Sequence, residues 1–172
     1  MKTTLLVLAA LVGLLVLAGL ILYLLGRAQP EHHTSRVSFT VSKPRAAVWA
    51  ALTDYATMPQ WWPAVKSIRF ETRPDGTQLT INTDKHGQPI AFRTKEEHAP
   101  ARLVREIVGD ELPFGGTWTY ELTDEGGGTR LTVTEDGFIK PPLFRAIARY
   151  FLGLDGTLKD FAKHFAAHLS AT

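Results

Sequence analysis

A stretch of about 75 residues, from Lys66 to near residue 139, alternates apolar and polar residues and is interrupted only by short turns. Such alternation is typical of β-strands with one buried face, because successive side chains on a strand point to opposite faces. Turn signals such as Asp75-Gly76 divide the stretch into six strands, and the segment from Arg36 to Val41 has the same pattern. Short connections favour antiparallel pairing of neighbours. The chain is therefore predicted to form a seven-stranded antiparallel sheet.

The C-terminal segment has a helical pattern instead, from about Pro141 to Ser170. Its apolar residues recur at spacings of three and four and form a stripe along one helix face: Phe144, Ile147, Phe151, Leu154, Leu158, Phe161, Phe165 and Leu169. Gly153 and Gly156 weaken the middle of this helix and predict a bend. The amphipathic helix is the available cover for the apolar face of the sheet, so we predict an α+β fold. A curved sheet wrapped on one helix leaves a gap where ligands bind.

An uncharged run of 22 residues, from Thr4 to Leu25, precedes the predicted sheet. As a helix it would span about 33 Å, which exceeds the roughly 30 Å hydrocarbon core of a bilayer. We therefore predict a transmembrane anchor and linker over residues 1–30 and a ligand-binding domain over residues 31–172. A cleaved signal peptide is the alternative, but signal peptides have shorter apolar runs and a small-residue cleavage site, which Gly26-Arg27 does not resemble.

The charges that flank this run bear on its orientation. Lys2 lies on one side, and Arg27 and Arg36, offset by Glu31, lie on the other. The count of basic residues favours a cytoplasmic domain, whereas a short basic N-terminal tail commonly stays inside and directs the domain outward. The protein is expected to be a single-pass protein of the cell membrane, and the side on which the domain lies is left open.

Composition narrows the possible partners. The formal net charge is +2 and the basic residues are scattered, so a nucleic-acid partner is not expected. The absence of cysteine excludes disulfides and thiol chemistry. The run Gly126-Gly127-Gly128 is predicted to be a hairpin turn rather than a phosphate-binding loop, because no helix and no Lys-Ser/Thr pair follow it. No cofactor is expected.

Four segments resemble bacterial polyketide cyclase/dehydrase-type proteins of the SRPBCC superfamily, the START/Bet v 1-like proteins. Two lie in the first helices, Val48-Trp49-x-x-Leu52-Thr53-Asp54 and Met58-Pro59-x-Trp61-x-Pro63, and two are strands, residues 112–121 and 128–137. The resemblance covers about residues 35–172 and implies the helix-grip fold, a curved sheet around a long C-terminal helix. It implies binding of an apolar small molecule or lipid in an internal cavity, or, alternatively, a cyclase or dehydratase that acts on a hydrophobic substrate.

Aromatic residues are the candidates to line such a cavity, although aromatic residues are also common in ordinary cores. Adjacent tryptophans on a loop are not easily both buried, so one of Trp61 and Trp62 is a candidate for the cavity mouth or for lipid headgroups. The predicted ligand-binding set is Trp61, Trp62, Phe92, Phe114, Trp118, Tyr120, Phe144 and Phe151.

Three polar residues are candidates for acid–base chemistry. If Phe92 points inward, a period of two places Glu96 and His98 on the same face, and Glu135 follows Leu131 and Val133 in the same way. A β-bulge or a position at the rim would instead place these side chains outside the cavity. No metal site is expected.

His164 and His168 have the helical spacing of metal ligands, but no third inward-facing ligand accompanies them. The interpretations that remain are a membrane-anchored binding protein, an enzyme that uses some of the three polar candidates, and a tethered protein-interaction module that makes contact through Trp61 and Trp62.

Overall fold

Seven strands form one antiparallel sheet, in agreement with the prediction from the alternating sequence. The computed structural model describes residues 2–109 and 112–171 of the 172-residue chain. The strands are β1 (His32–Val41), β2 (Val65–Thr72), β3 (Gln78–Asp84), β4 (Pro89–His98), β5 (Arg102–Val108), β6 (Phe114–Glu125) and β7 (Gly128–Ile139). Their order across the sheet is β1-β7-β6-β5-β4-β3-β2, so only β1 pairs with a strand that is remote in sequence.

The helices lie before, between and after the strands. They are α1 (Lys2–Arg27), α2 (Arg45–Thr53), α3 (Met58–Trp61), α4 (Pro142–Ile147) and α5 (Gly156–Ala171), with a 3₁₀ turn at Tyr55–Thr57 and a π-helical turn at Ala148–Leu152. The order matches the helix-grip fold that the resemblance implies, with the sheet curved around the C-terminal helix.

The core lies between α5 and the concave face of the sheet. Phe161 and Phe165 of α5 have no solvent-exposed surface, and their rings stack with centroids 5.3 Å apart. Leu131 and Val133 of β7 are equally buried beneath them. Complete burial of a side chain of this size contributes about 1.5–3 kcal/mol, so these contacts hold the helix on the sheet.

The C-terminal helix is shorter than the predicted helix over residues 141–170. It is interrupted at Gly153, whose positive φ of 78° is a conformation that glycine adopts readily and other residues rarely do. The interruption separates α4 and the π-helical turn from α5, so the apolar stripe is no longer continuous. Only the part of the stripe that belongs to α5 packs on the sheet.

The helix α1 is long and apolar enough to cross a membrane, and its apolar side chains are exposed. Its C-terminal end packs on α4, where a Cβ atom at Gly26 would overlap the carbonyl oxygen of Pro142. The buried Arg145 of α4 donates hydrogen bonds from Nε to the Gly26 carbonyl at 2.9 Å and from Nη1 to the Glu31 carboxylate at 3.1 Å. Nη1 also donates to the carbonyl of Lys140 at 2.7 Å. These contacts form a joint between α1 and the sheet.

A β-bulge interrupts the pairing of β4 with β5 between Thr94 and Glu96. One extra residue on β4 shifts the alternation by one position, so residues after the bulge no longer follow the phase of Phe92. The bulge changes the predicted positions of Glu96 and His98.

Candidate functional site

A cavity of about 320 Å³ lies between the sheet and the helical segments. Its floor is formed by inward-facing residues of β3 to β7, and Tyr55, Met58 and Thr157 close it from the helical side. The size lies within the range of small-molecule sites in proteins, which are mostly apolar with a few polar groups. The cavity is the gap predicted between the curved sheet and its helix.

Five of the eight aromatic candidates line this cavity: Trp62, Phe92, Phe114, Trp118 and Tyr120. The period of two along β4 and β6 directs Phe92, Trp118 and Tyr120 to the concave face. Trp118 and Tyr120 also contact Phe161 of α5 edge to face, at centroid distances of 5.8 and 5.7 Å. The cavity wall is therefore continuous with the hydrophobic core.

Both adjacent tryptophans pack on α5, which differs from the expectation that one of them lies at the cavity mouth or at lipid headgroups. The Trp62 indole is buried and donates a hydrogen bond to the Asp160 carboxylate at 2.8 Å. Trp61 is half-buried and stacks on His168 at 5.5 Å, outside the cavity. The two indoles are nearly parallel, at an interplanar angle of 11°, because α3 ends between them and turns the chain.

Phe144 and Phe151 lie outside the cavity, contrary to the prediction that they line it. Phe144 is 51% exposed on α4 and Phe151 is 70% exposed on the π-helical turn. The break at Gly153 explains the difference, because it rotates the first part of the predicted stripe away from the sheet.

The most polar feature of the cavity is Arg105 on β5, which the sequence analysis did not identify. Its side chain is buried, and its Nη2 donates a hydrogen bond to the Thr80 hydroxyl. Its guanidinium carbon lies 4.1 Å from the centre of the Tyr55 ring, a cation–π contact. The sequence does indicate that Arg105 faces inward. Arg105 lies two residues from both Leu103 and Ile107, so on a strand its side chain points to the same face as these apolar side chains.

Thr80 and Asn82 of β3 also face the cavity and were not predicted. The Nδ2 group of Asn82 lies 3.8 Å from the sulfur of Met58, and its Oδ1 atom is buried without a hydrogen-bond partner. Together with Asp84 and Arg105 these residues give the β3 and β5 side of the cavity a polar character.

Glu135 lies in the cavity wall on β7, as the phase of that strand predicts. Burial raises the pKa of its carboxyl group, and a hydrogen bond from the Trp118 side chain and the charge of His33 oppose the shift only in part. Burial also raises the pKa of the Tyr120 hydroxyl, so Tyr120 remains a neutral hydrogen-bonding group. Glu135 is therefore a carboxyl group that protonates more readily than one in water.

Glu96 and His98 do not line the cavity. Glu96 accepts a hydrogen bond from Arg102 at 2.8 Å and lies 3.3 Å from His98, in an ion-pair cluster that also includes Glu121. The side chain of His98 is 71% exposed. The bulge after Thr94 is the physical reason, since it removes these residues from the phase of Phe92.

The histidine pair on α5 has structural contacts. The Nδ1 atom of His164 lies 2.8 Å from the backbone carbonyl oxygen of Asp160, one turn earlier, and His168 stacks on Trp61. Within residues 2–109 and 112–171, no three His, Asp or Glu side chains cluster in a way that would hold a metal ion.

Residues 32–170 match the family model described as polyketide cyclase / dehydrase and lipid transport. This match spans most of the chain and covers all seven strands and the C-terminal helices. No curated protein has a significant sequence match to the chain.

Solved structures with the same fold are distant in sequence. A START superfamily protein from Mycobacterium smegmatis is 16% identical, with a TM-score of 0.63 over 81% of this chain and 98% of its own. A protein from Rhizobium leguminosarum is 19% identical, with a TM-score of 0.57 over 83% and 97% of the two chains. The di-domain ARO/CYC StfQ of the steffimycin biosynthetic pathway is 17% identical, with a TM-score of 0.61 over 82% of this chain and 52% of its own. Likeness at these identities establishes the fold and leaves the chemistry to the site.

Proposed function

Because this chain belongs to the polyketide cyclase / dehydrase and lipid transport family, we propose that it binds an apolar small molecule or lipid in the cavity between the sheet and the helical segments. We further propose that α1 holds the ligand-binding domain, residues 31–172, at a membrane. The observation that carries the proposal is the cavity of about 320 Å³, which is walled by aromatic side chains and has few polar groups. Such a site favours ligands with a large apolar surface, since about 25 cal/mol is gained for each Å² removed from water.

The proposed membrane anchor is the apolar segment over residues 4–25. Its exposed leucines and valines have no covering element among the described residues, and a bilayer would remove them from water. The joint at Arg145 would then place the domain close to the membrane surface, because the hydrogen bond to Gly26 leaves no flexible spacer at the end of α1. A ligand from the bilayer would have a short path to the cavity.

A second apolar surface supports the same placement. Five exposed residues of α4 and the π-helical turn lie next to the C-terminal end of α1: Leu143, Phe144, Tyr150, Phe151 and Leu152. The Tyr150 hydroxyl accepts a hydrogen bond from Gln29 at 3.1 Å, which fixes this surface beside the linker. Aromatic and aliphatic side chains in this position are typical of segments that lie in the headgroup region.

Native mass spectrometry of the full chain, extracted in a mild detergent, tests the binding proposal. We expect a reproducible excess mass from a co-purified apolar molecule. Phe92→Ala should reduce the occupied fraction because it removes part of the cavity wall. The matched control is Phe138→Ala, which truncates a half-buried phenylalanine on the opposite face of the sheet, where it packs on His32.

Equal loss of the ligand in both variants would mean that general destabilisation, and not the cavity, explains the effect. A wild-type chain that stays free of ligand after incubation with both neutral lipids and fatty acids would refute the binding proposal.

An enzymatic role is the second candidate, and Glu135 is the observation that favours it. A cavity carboxyl group with a raised pKa keeps its proton to a higher pH than a carboxyl group in water, which suits a proton donor or acceptor in a reaction. Glu135→Gln keeps the shape of the side chain and removes this proton transfer. An enzyme would lose turnover of a polyketide-like substrate and keep its affinity, whereas a binding protein would have no turnover to lose.

A further inference from the structure

The cavity contains a cation whose hydrogen bonds are incomplete. Arg105 is 6% exposed, and its Nε and Nη1 atoms are buried without a hydrogen-bond partner. Its known contacts are the hydrogen bond from Nη2 to Thr80 and the stacking on Tyr55. A buried guanidinium with free N–H groups is costly unless something satisfies them.

The same chain provides a comparison in Arg145, which is buried to a similar degree, at 7% exposed. Arg145 donates to the carbonyls of Gly26, Ile139 and Lys140 and forms an ion pair with Glu31. No nitrogen of Arg145 is buried without a hydrogen-bond partner. Arg105 differs because two of its three nitrogens face no acceptor.

Two acidic residues line the cavity, and neither neutralises Arg105. Asp84 accepts hydrogen bonds from the backbone amides of His86 and Gln88 at 2.8 Å. The sheet register explains the position of Glu135. Arg105 pairs with Trp118, and Trp118 pairs with Glu135, so the three side chains form a row across β5, β6 and β7. The two charged residues are separated by two strand spacings, about 10 Å, with the indole between them. Among the described residues, no carboxylate forms an ion pair with Arg105.

We propose that Arg105 binds an anionic oxygen group of the cavity ligand, and that the ligand is an amphiphile with an apolar body and one carboxylate. This inference rests on the proposed binding function. Arg105 is the only basic residue among the described residues that line the cavity, and the carboxyl groups of Asp84 and Glu135 line it as well. One positive charge in such a lining matches a monoanion rather than a phosphate dianion. Guanidinium groups form strong charge-assisted hydrogen bonds with carboxylates, and the Nε and Nη1 donors have no hydrogen-bond partner within the protein.

The test compares two probes that share an alkyl chain, octanoate and octanol. Binding to the full chain in phosphatidylcholine nanodiscs is followed by tryptophan fluorescence, because Trp62 and Trp118 lie in the cavity wall. Nanodiscs without the protein supply the partition baseline. The variants are Arg105→Met, which keeps an apolar side chain of similar length, and Arg102→Met, which removes a half-buried arginine of the same strand that does not line the cavity.

We expect the wild-type chain to bind octanoate at least about tenfold more tightly than octanol, since hydrogen bonds to charged groups are worth a factor of about 10 to 100. Arg105→Met should abolish this preference and change octanol binding by less than about threefold. Arg102→Met should retain the preference. The preference of the wild-type chain should also disappear at a pH that protonates octanoate, which provides a test that needs no variant.

Octanol binding without a preference for octanoate would overturn the inference about Arg105 and leave the apolar cavity in place. An equal preference in the wild-type chain and Arg105→Met would overturn it as well. If neither probe binds to the wild-type chain, the proposed binding function fails together with the inference.

Discussion

The joint between α1 and the domain can be tested at one side chain. Arg145→Met removes the guanidinium that bonds the Gly26 carbonyl at 2.9 Å and the Lys140 carbonyl at 2.7 Å. It also removes the bond to Ile139 at 3.2 Å and the ion pair with Glu31. The methionine preserves most of the apolar stem, so the change isolates the hydrogen bonds. We expect the end of α1 to detach from α4 while the sheet stays folded.

The free energy that Arg145→Met should cost the joint can be estimated from the groups that Arg145 bonds. A hydrogen bond from a charged donor contributes about 1.5–3 kcal/mol, and water that enters the joint recovers part of this for the freed carbonyls. The side chain of Glu31 is 57% exposed, so its ion pair adds little. We expect about 3 kcal/mol, which corresponds to a factor of more than about 100 in the opening equilibrium of the joint.

Amide hydrogen exchange of the full chain in nanodiscs measures this opening. The reporter is the amide of Ile139, which donates to the Glu31 carbonyl at 2.9 Å. We expect its exchange to accelerate by about 100-fold in Arg145→Met, in proportion to the opening equilibrium. Arg149→Met is the control, because Arg149 is exposed and lies one turn further along. Unchanged protection at Ile139 would refute the idea that Arg145 holds the joint.

Three other predictions concern the carboxyl group of Glu135, the hydrophobic core and the exposed apolar residues of α4 and the π-helical turn. Because burial raises the pKa of Glu135, the folded state binds this proton more tightly than the unfolded state, and the contribution of Glu135 to stability should fall as pH rises above about 4.5. In urea unfolding, the stability difference between the wild type and Glu135→Gln should therefore change with pH, and parallel pH profiles would contradict the burial of Glu135. Phe161→Ala should destabilise the domain by about 3–5 kcal/mol, because the ring is fully buried, and a loss below about 1 kcal/mol would show that the core repacks. Phe151→Asp should weaken flotation of residues 31–172 with phosphatidylcholine vesicles, whereas equal flotation would argue against membrane contact by this surface.

The order of elements follows from local patterns and was predictable. The period of two in the strands and the three–four spacing from Leu158 to Leu169 depend only on which residues must leave water. The same periodicity correctly directed Phe92, Trp118 and Tyr120 to the cavity wall. The proposed anchor is a matter of length and apolar composition alone, which need no tertiary information.

Phase errors arose where the backbone departs from regular geometry. The bulge after Thr94 moved Glu96 to the ion-pair cluster with Arg102, and the break at Gly153 moved Phe151 to the surface. One extra residue in a strand reverses the sheet face to which all later side chains point. A glycine with positive φ ends a helix and changes the direction of the chain. Periodicity shows neither event, because the same residues would also fit an uninterrupted strand or helix. The glycines predicted a bend in the helix but not which side chains it would turn to the surface.

The sequence by itself determined the seven strands, the apolar N-terminal helix and the amphipathic C-terminal helix, because each depends only on the pattern of apolar and polar residues that are close together in the chain. Only the tertiary structure decided which polar groups share the cavity. Arg105, Trp118 and Glu135 are brought into one row by the register of three strands, which sequence spacing does not specify. The burial of Arg105 depends in turn on Tyr55, a residue 50 positions earlier that closes over its guanidinium. Contacts between residues so distant in the chain arise from pairing and packing, and these set the chemistry of the site.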